Sequence, residues 1–162
     1  MGPAVWSGVK AKIDAGESPI KWDANIIACI EASLLKANWE EQERINNDPE
    51  VSFTLTHGDF HAANMVWDYK EKKLVLLDFE MCGIGSGAID LGQFMIGHVP
   101  PQMRREHEME LLERYHKNLQ TFANVPDSYT LEKCVKEYKL HSSERYCAFL
   151  TFAASFMPKE LV

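Results

Sequence analysis

Three oxygen-bearing side chains stand where loops leave short apolar segments. Asp59 and Asn64 lie five residues apart in the string HGDFHAAN, and Asp78 follows the apolar run LVLL. A carboxylate just after a strand can accept the proton of a hydroxyl group, and this is the role that we predict for Asp59. An amide oxygen and a second carboxylate are hard ligands of the kind that Mg²⁺ prefers, which suits Asn64 and Asp78.

The order and spacing of these residues favour phosphoryl transfer. That reaction needs little covalent help from a protein, because one group orients the attacking hydroxyl while magnesium ions hold the phosphate oxygens. An Asp and an Asn five residues apart also have the spacing of the protein-kinase catalytic loop. The alternative that Asp59 and Asn64 are only turn residues is weaker, because flanking strands and Asp78 accompany them.

Longer motifs resemble the aminoglycoside phosphotransferase/choline kinase superfamily. Its catalytic segment reads H-G-D-x-x-x-x-N and then I/L-D-F/W, and the chain has HGDFHAAN followed by LVLLDFE. The segment GIGSGAIDLGQF is similar to the glycine-rich stretch and Asp-Leu helix that follow in the superfamily. ELLERYHKNL and YTLEKCVKEYKL resemble the C-terminal helices of its ecdysteroid-kinase-like branch, so the resemblance covers roughly residues 50–145.

The resemblance implies a reaction and a role for each matching residue. The reaction is transfer of the ATP γ-phosphoryl group to a small-molecule hydroxyl, with ATP as co-substrate and Mg²⁺ as the metal. Asp59 is then the catalytic base, Asn64 and Asp78 are magnesium ligands, and Asp90 braces the catalytic loop from its helix. No motif fixes the acceptor, so choline, an aminoglycoside-like sugar, a sterol and other alcohols all remain open.

The histidines around Asp59 leave a second interpretation open. We predict that His57 is a packed residue that supports the site, and that His61 and Glu80 are candidates for contact with substrate or phosphate. His57, Asp59 and His61 also resemble an H-x-D-x-H metal hydrolase cluster. That alternative is weaker because the remaining histidines are scattered along helical or loop segments: His98, His107, His116 and His141.

The pattern along the chain predicts an α+β fold, mainly helical, with a small β unit. The resemblance implies that this unit carries the catalytic and metal loops of a kinase-like C-lobe. Asp23 is the expected N-cap of the first strongly periodic helix. We expect a single domain over residues 1–162, with a weakly patterned lead-in at 1–22, a helix at 23–48, the catalytic and metal segment at 51–80, and a helical subdomain at 88–157.

Details of these elements follow from periodicity. Residues 74–77 suggest a strand of buried type, and the glycines at 83, 85 and 87 suggest a flexible turn. We expect a helix from about residue 88, a long helix from Pro101 to Phe122, and helical structure with one or two breaks over residues 131–157. The predicted buried row of the long helix is Met103, Leu111, Tyr115, Leu119 and Phe122.

A complete member of the superfamily needs an N-terminal lobe with a phosphate loop and a strand lysine. Only 56 residues precede His57, and Lys10, Lys12 and Lys21 lie in segments that do not resemble strands. We therefore expect a C-lobe without its N-lobe: a fragment of a longer enzyme, or a catalytically silent short product that acts as a binding or regulatory module. A face left uncovered by the missing lobe predicts self-association.

Composition narrows the classes of partner. The 162 residues carry a net charge of −7 without a basic stripe, so nucleic acid and anionic membrane surfaces are poor partners. Four cysteines without a CxxC pair indicate reduced thiols rather than a zinc knuckle or a disulfide framework. Neither a signal peptide nor a membrane span is evident, so we expect a cytoplasmic protein with a small-molecule alcohol as substrate.

Overall fold

The computed structural model describes residues 3–36, 40, 54–122 and 125–157. Contacts divide the chain into two units, one drawn from residues 1–42 and 146–162 and the other from residues 43–145. The single kinase-like domain over residues 1–162 stays a prediction. In the described part of the chain, no helix combines the length and the apolar character that crossing a membrane requires.

The first unit begins with a helix in the lead-in segment that looked weakly patterned. Helix α1 spans Pro3–Asp14, and its Trp6 and Val9, three residues apart, are buried. Gly16 follows the helix with a φ of +67°, the left-handed conformation that glycine adopts without steric cost at a helix end. Pro3 and Gly16 thus mark the two ends of this helix.

Helix α2 spans Ala24–Lys36 and confirms the predicted cap, because the Asp23 carboxylate accepts the Asn25 backbone N–H at 2.7 Å. The predicted continuation of this helix to residue 48 lies outside the described residues, apart from Glu40. The apolar side chains of α2 face a core, in which partly buried side chains pack against buried ones. That core is built on Trp6, Val9, Ile30 and Ala154.

The second unit contains four short described strands, which form two antiparallel pairs. Strand β1 pairs with β4, with Leu55 opposite Ile84, and β2 pairs with β3, with Trp67 opposite Leu74. Between β2 and β3, the Asp68 carboxylate accepts the backbone N–H groups of the polar turn. The strands are β1 (Thr54–Thr56), β2 (Met65–Asp68), β3 (Lys73–Leu76) and β4 (Gly83–Gly85).

Two predictions for the β unit are wrong. The stretch Gly83–Gly85 is not a flexible turn but a strand, because its backbone pairs with β1. Strand β3 is not of buried type, since Leu74 keeps 52% of its surface exposed. The apolar run of β3 signals a strand, but periodicity alone does not reveal whether a second layer covers it. Residues 51–53, which begin the predicted catalytic and metal segment, lie outside the described part.

Three helices complete the second unit: α3 (Ala88–His98), α4 (Pro101–Phe122) and α5 (Leu131–Phe156), the last of which continues into the first unit. The predicted starts of α3 and α4 are confirmed. The partly buried Leu91 and Phe94 of α3 pack against a core shared by these helices and the segment before α5. Its buried members are Ala88, Met95, Leu112, Tyr129, Cys134 and Tyr138.

The buried row predicted for α4 is partly wrong. Met103 and Phe122 are exposed at 53% and 84%, whereas Leu112 and His116, four residues apart, are buried. The buried His116 ring has a hydrogen-bond partner, because its Nε2 lies 2.8 Å from the Tyr129 carbonyl oxygen. Helix α5 is continuous, so the predicted breaks are wrong. The α+β composition with a small antiparallel β unit is confirmed.

Candidate functional site

The loop between β1 and β2 is anchored to the first turn of helix α3. One oxygen of the Asp90 carboxylate accepts the His57 backbone N–H at 2.7 Å, and the other accepts the Gly58 N–H at 3.0 Å. A carboxylate that receives two adjacent backbone donors fixes both position and direction of the chain there. Asp90 thus holds this loop from its helix, and the bracing role that the sequence resemblance implied for it stays a prediction.

Gly58 is required at its position by backbone conformation and by space. Its φ is +80°, and a Cβ atom built there would collide with the Met81 carbonyl oxygen. Its own carbonyl accepts a hydrogen bond from Arg145 of helix α5 at 3.3 Å. The turn that presents Asp59 is therefore held from two sides, by α3 and by α5.

His57 is a structural member of the site. It is only 4% exposed, and its Nε2 lies 2.8 Å from the Leu77 carbonyl oxygen. Its Nδ1 accepts the Asp59 backbone N–H over a long 3.4 Å, so Nε2 carries the proton and donates it. The ring also lies against the rings of Phe60 and Phe79. Both nitrogens are engaged within the protein, as expected for a packed supporting residue.

Among the described residues, three side chains contact the Asp59 carboxylate. Gln93 Nε2 donates to Oδ1 at 3.0 Å, while His61 Nε2 and Asn64 Nδ2 approach Oδ2 at 3.2 and 3.4 Å. The His61 Nδ1 accepts the Ala63 backbone N–H, so its Nε2 bears the proton and donates to Asp59. The Asp59 side chain nonetheless remains 44% exposed, which leaves lone pairs accessible to a substrate.

Asn64 and Asp78 are linked through the backbone. The Asn64 carbonyl accepts the Leu77 N–H at 2.9 Å, so Asp78 lies one residue beyond this pairing. The Asn64 amide nitrogen also donates to the Asp59 carbonyl at 3.1 Å, which leaves its amide oxygen as the group able to bind a cation. Asp78 has a φ of +61°, an uncommon conformation for a residue other than glycine, of a kind that clusters at functional sites.

These donors fit the requirements of magnesium. Mg²⁺ usually binds through one or two carboxylates, with phosphate oxygens and waters completing the octahedron, rather than in an all-protein cage. One amide oxygen and one exposed carboxylate supply that kind of partial shell. Within the described ranges, no group of three or more His, Cys, Asp or Glu side chains is arranged to hold a metal ion.

The predicted site residues fall into two groups. His57, Asp59, His61, Asn64 and Asp90 form one connected hydrogen-bonded set, to which the segment before Asp78 is joined. Glu80 instead lies exposed in the turn after Asp78, and no hydrogen bond or ion pair joins it to another described residue. The contact with substrate or phosphate suggested for it stays a prediction.

Sequence reasoning missed two residues of this set, Gln93 and Arg145. Gln93 carries a usable signal, because it follows Asp90 by three residues and therefore shares its helix face. Arg145 carries none, since 87 residues separate it from Gly58 and only the packing of α5 brings the two together.

Comparison with known proteins gives one positive result. No curated protein and no solved structure matches the chain significantly. The model of the ecdysteroid kinase-like family matches residues 26–125, more than half of the 162-residue chain. This stretch contains all seven predicted site residues, and the match agrees with the branch that the sequence motifs resembled. The chain therefore belongs to the ecdysteroid kinase-like family and, at that level, is a kinase-like protein.

Proposed function

We propose that the protein is an ATP- and Mg²⁺-dependent phosphotransferase, or a part of one, that acts on a hydroxyl group of a small molecule. The observation that carries the proposal is the Asp59 carboxylate, held by Gln93 and His61 yet 44% exposed, in a chain of the ecdysteroid kinase-like family. A base in phosphoryl transfer must be oriented and accessible at the same time, and Asp59 meets both conditions.

Asp59 acts on the acceptor hydroxyl in this mechanism. As the acceptor oxygen forms its bond to the γ-phosphorus of ATP, the bond from that phosphorus to the ADP oxygen breaks. The acceptor proton passes to Asp59, and the products are ADP and a phosphate ester. His61 supports this step as a donor to Asp59 Oδ2, which holds the carboxylate in place.

Asn64 and Asp78 would hold the metal ion. A Mg²⁺ ion held there would supply positive charge that offsets the charge of the phosphate oxygens. The chain contributes the Asn64 amide oxygen, whose amide is fixed by its donation to the Asp59 carbonyl, and the exposed Asp78 carboxylate one residue past the Leu77 pairing. This acidic protein, with a net charge of −7, needs such a cation to accept a polyphosphate.

The hydrolase alternative has less support. It needs His57, Asp59 and His61 as ligands of one metal ion, but both ring nitrogens of His57 are already paired within the protein. The His61 Nδ1 likewise accepts a backbone N–H. A metal would have to displace these hydrogen bonds, so we favour phosphoryl transfer.

The test is a phosphoryl-transfer assay with Mg-ATP and a panel of alcohols: an ecdysteroid, chosen from the family's name, with choline and an aminoglycoside. We expect one acceptor to be phosphorylated and Asp59→Asn to lower kcat by about 10²- to 10⁴-fold. Asp127→Asn, the same change in an exposed turn, is the matched control and should keep the wild-type rate. Equal rates for Asp59→Asn and wild type would refute the assignment, and Mg-ATP binding without transfer to any acceptor would favour a binding module.

A further inference from the structure

Gln93 is the contact that ties the Asp59 carboxylate to a packed helix. The other two side chains on this carboxylate, His61 and Asn64, belong to the same loop as Asp59 and move with it. Gln93 instead lies on α3, whose neighbouring Leu91, Phe94 and Met95 are anchored in the core of the second unit. Its Nε2 donates to Oδ1 at 3.0 Å, so this oxygen is fixed relative to the body of the unit.

The orientation of the Gln93 amide follows from the chemistry of its partner. An ionised carboxylate only accepts hydrogen bonds, so the amide oxygen cannot face Oδ1 without placing two acceptors together. The nitrogen must therefore face Asp59, and Oε1 must face the other way. The contact is a directional donor bond rather than a chance approach of two polar groups.

Packing alone does not explain a glutamine at this position. The Gln93 Oε1 is buried, and no donor within the described residues reaches it. A buried acceptor without a partner is destabilising, whereas an apolar side chain of the same size would fill the space without that cost. The residue that the fold would favour for stability is thus different from the residue that the Asp59 contact requires.

Helix α3 makes two separate contacts with the catalytic loop from one face. Asp90 and Gln93 are three residues apart, which places them on the same side of a helix. Asp90 holds the backbone N–H groups of His57 and Gly58, and Gln93 holds the side chain of the next residue. The first contact sets where the loop lies, and the second sets how the carboxylate is rotated.

We propose that Gln93 is a positioning residue for phosphoryl transfer, which holds the Asp59 carboxylate in the rotation that receives the acceptor proton. The inference rests on the proposed function. Gln93 does not touch ATP or the acceptor in this role, so its loss should lower kcat while leaving the KM for ATP unchanged.

The experiment compares steady-state kinetics of the full chain and its variants with Mg-ATP and the ecdysteroid, choline and aminoglycoside panel. Gln93→Met keeps the length of the side chain and removes the donor, while Gln93→Glu keeps its shape and replaces the donor with a charge that repels Asp59. Gln102→Met is the matched control, because Gln102 is an exposed residue of α4 whose side chain donates to Glu106. Melting temperatures show whether each variant is folded.

We expect both Gln93 variants to lose about 10- to 100-fold in kcat, the range typical of a lost supporting hydrogen bond, with an unchanged KM for ATP. Gln93→Glu should lose more than Gln93→Met. Gln102→Met should keep the wild-type values. A folded Gln93 variant with the kcat of Gln102→Met would overturn the inference while Asp59→Asn, if inactive, still upheld the proposed function. A wild-type chain that phosphorylates no acceptor of the panel would contradict catalysis by this chain and, with it, the positioning role of Gln93.

Discussion

At the residue scale, the carboxylate of Asp59 is held by hydrogen-bond donors on other side chains. Gln93, His61 and Asn64 approach its two oxygens, and in the described part of the chain no lysine or arginine pairs with it. A permanent cation would stabilise the carboxylate and compete for the lone pair that the base we propose must offer to a proton. Hydrogen bonds without such a cation orient the group and leave that lone pair available, as the role proposed for Asp59 requires.

Gly58 offers a test of the loop that presents Asp59. Gly58→Ala should destabilise the second unit by about 1–3 kcal/mol, because alanine is strained at a φ of +80° and its Cβ would collide with the Met81 carbonyl. Urea denaturation measures the change. Gly83→Ala is the control, since a Cβ atom at Gly83 meets nothing within 4 Å. Equal denaturation midpoints for the two variants would contradict the account of this turn.

At the element scale, the loop and the helix that carry the candidate site were predictable because their signals are local. The spacing of Asp59 and Asn64 depends on a single loop, and the helix that carries Asp90 begins where its pattern indicated. The burial of individual faces was harder to predict. Leu74 of β3 and Phe122 of α4 are exposed despite their apolar character, because burial depends on which elements pack above them.

Long-range contacts could not be predicted from periodicity. Arg145 meets Gly58 only because α5 returns to the loop after β1, and the pairing of Gly83–Gly85 with β1 joins segments on either side of the stretch from His57 to Asp78. Glycine spacing indicated a turn because glycine weakens strands in general. The hydrogen-bonding partner of Gly83–Gly85 is β1, which is distant in sequence, so the local pattern could not predict this pairing.

We expect the stability of the helices around the second core to depend on pH. Burial raises the pKa of the Tyr115 hydroxyl, helped by Cys134, Glu137 and Asp90, and burial also raises the pKa values of Cys134 and Tyr138. Groups with raised pKa values keep their protons in the folded state while the unfolded chain releases them. Their contribution to stability is therefore present below the ordinary pKa values of thiols and phenols and is lost as pH rises above them.

We expect the urea midpoint of unfolding to fall between about pH 8.5 and pH 10.5, a range that contains those ordinary pKa values. Tyr115→Phe removes one of the groups and should make the fall smaller. Tyr69→Phe is the control, because Tyr69 is 85% exposed and should leave the pH dependence unchanged. A fall of equal size in all three proteins would show that Tyr115 does not contribute.

At the scale of the whole molecule, apolar residues on the β unit remain uncovered. Leu55 and Ile84 face each other across β1 and β4 with 69% and 77% of their surface exposed, and Trp67 and Leu74 form a similar pair on β2 and β3. Exposed apolar clusters of this kind mark contact surfaces in folded proteins. We propose that a second copy of the chain covers these pairs at high protein concentration.

Sedimentation velocity at increasing concentration tests this proposal. The wild-type chain should shift towards a dimer or larger species, and Ile84→Lys should reduce the shift, because a charged residue on an exposed strand opposes edge and face association. Met103→Lys introduces the same change on the exposed surface of α4 and should behave like wild type. A monomeric wild-type protein at all concentrations would contradict the proposal.

We propose that the segment from His57 to Asp78 forms a site for Mg-ATP, and a thermal-shift titration tests this binding directly. Ligands stabilise the state that they bind, by about 3 kcal/mol at a hundredfold excess over Kd. We expect a saturable rise in Tm with Mg-ATP, absent without Mg²⁺ and absent in Asp78→Asn, but retained in Asp127→Asn, whose residue lies in an exposed turn. A wild-type Tm that does not respond to Mg-ATP, or an equal rise in Asp78→Asn, would contradict the account.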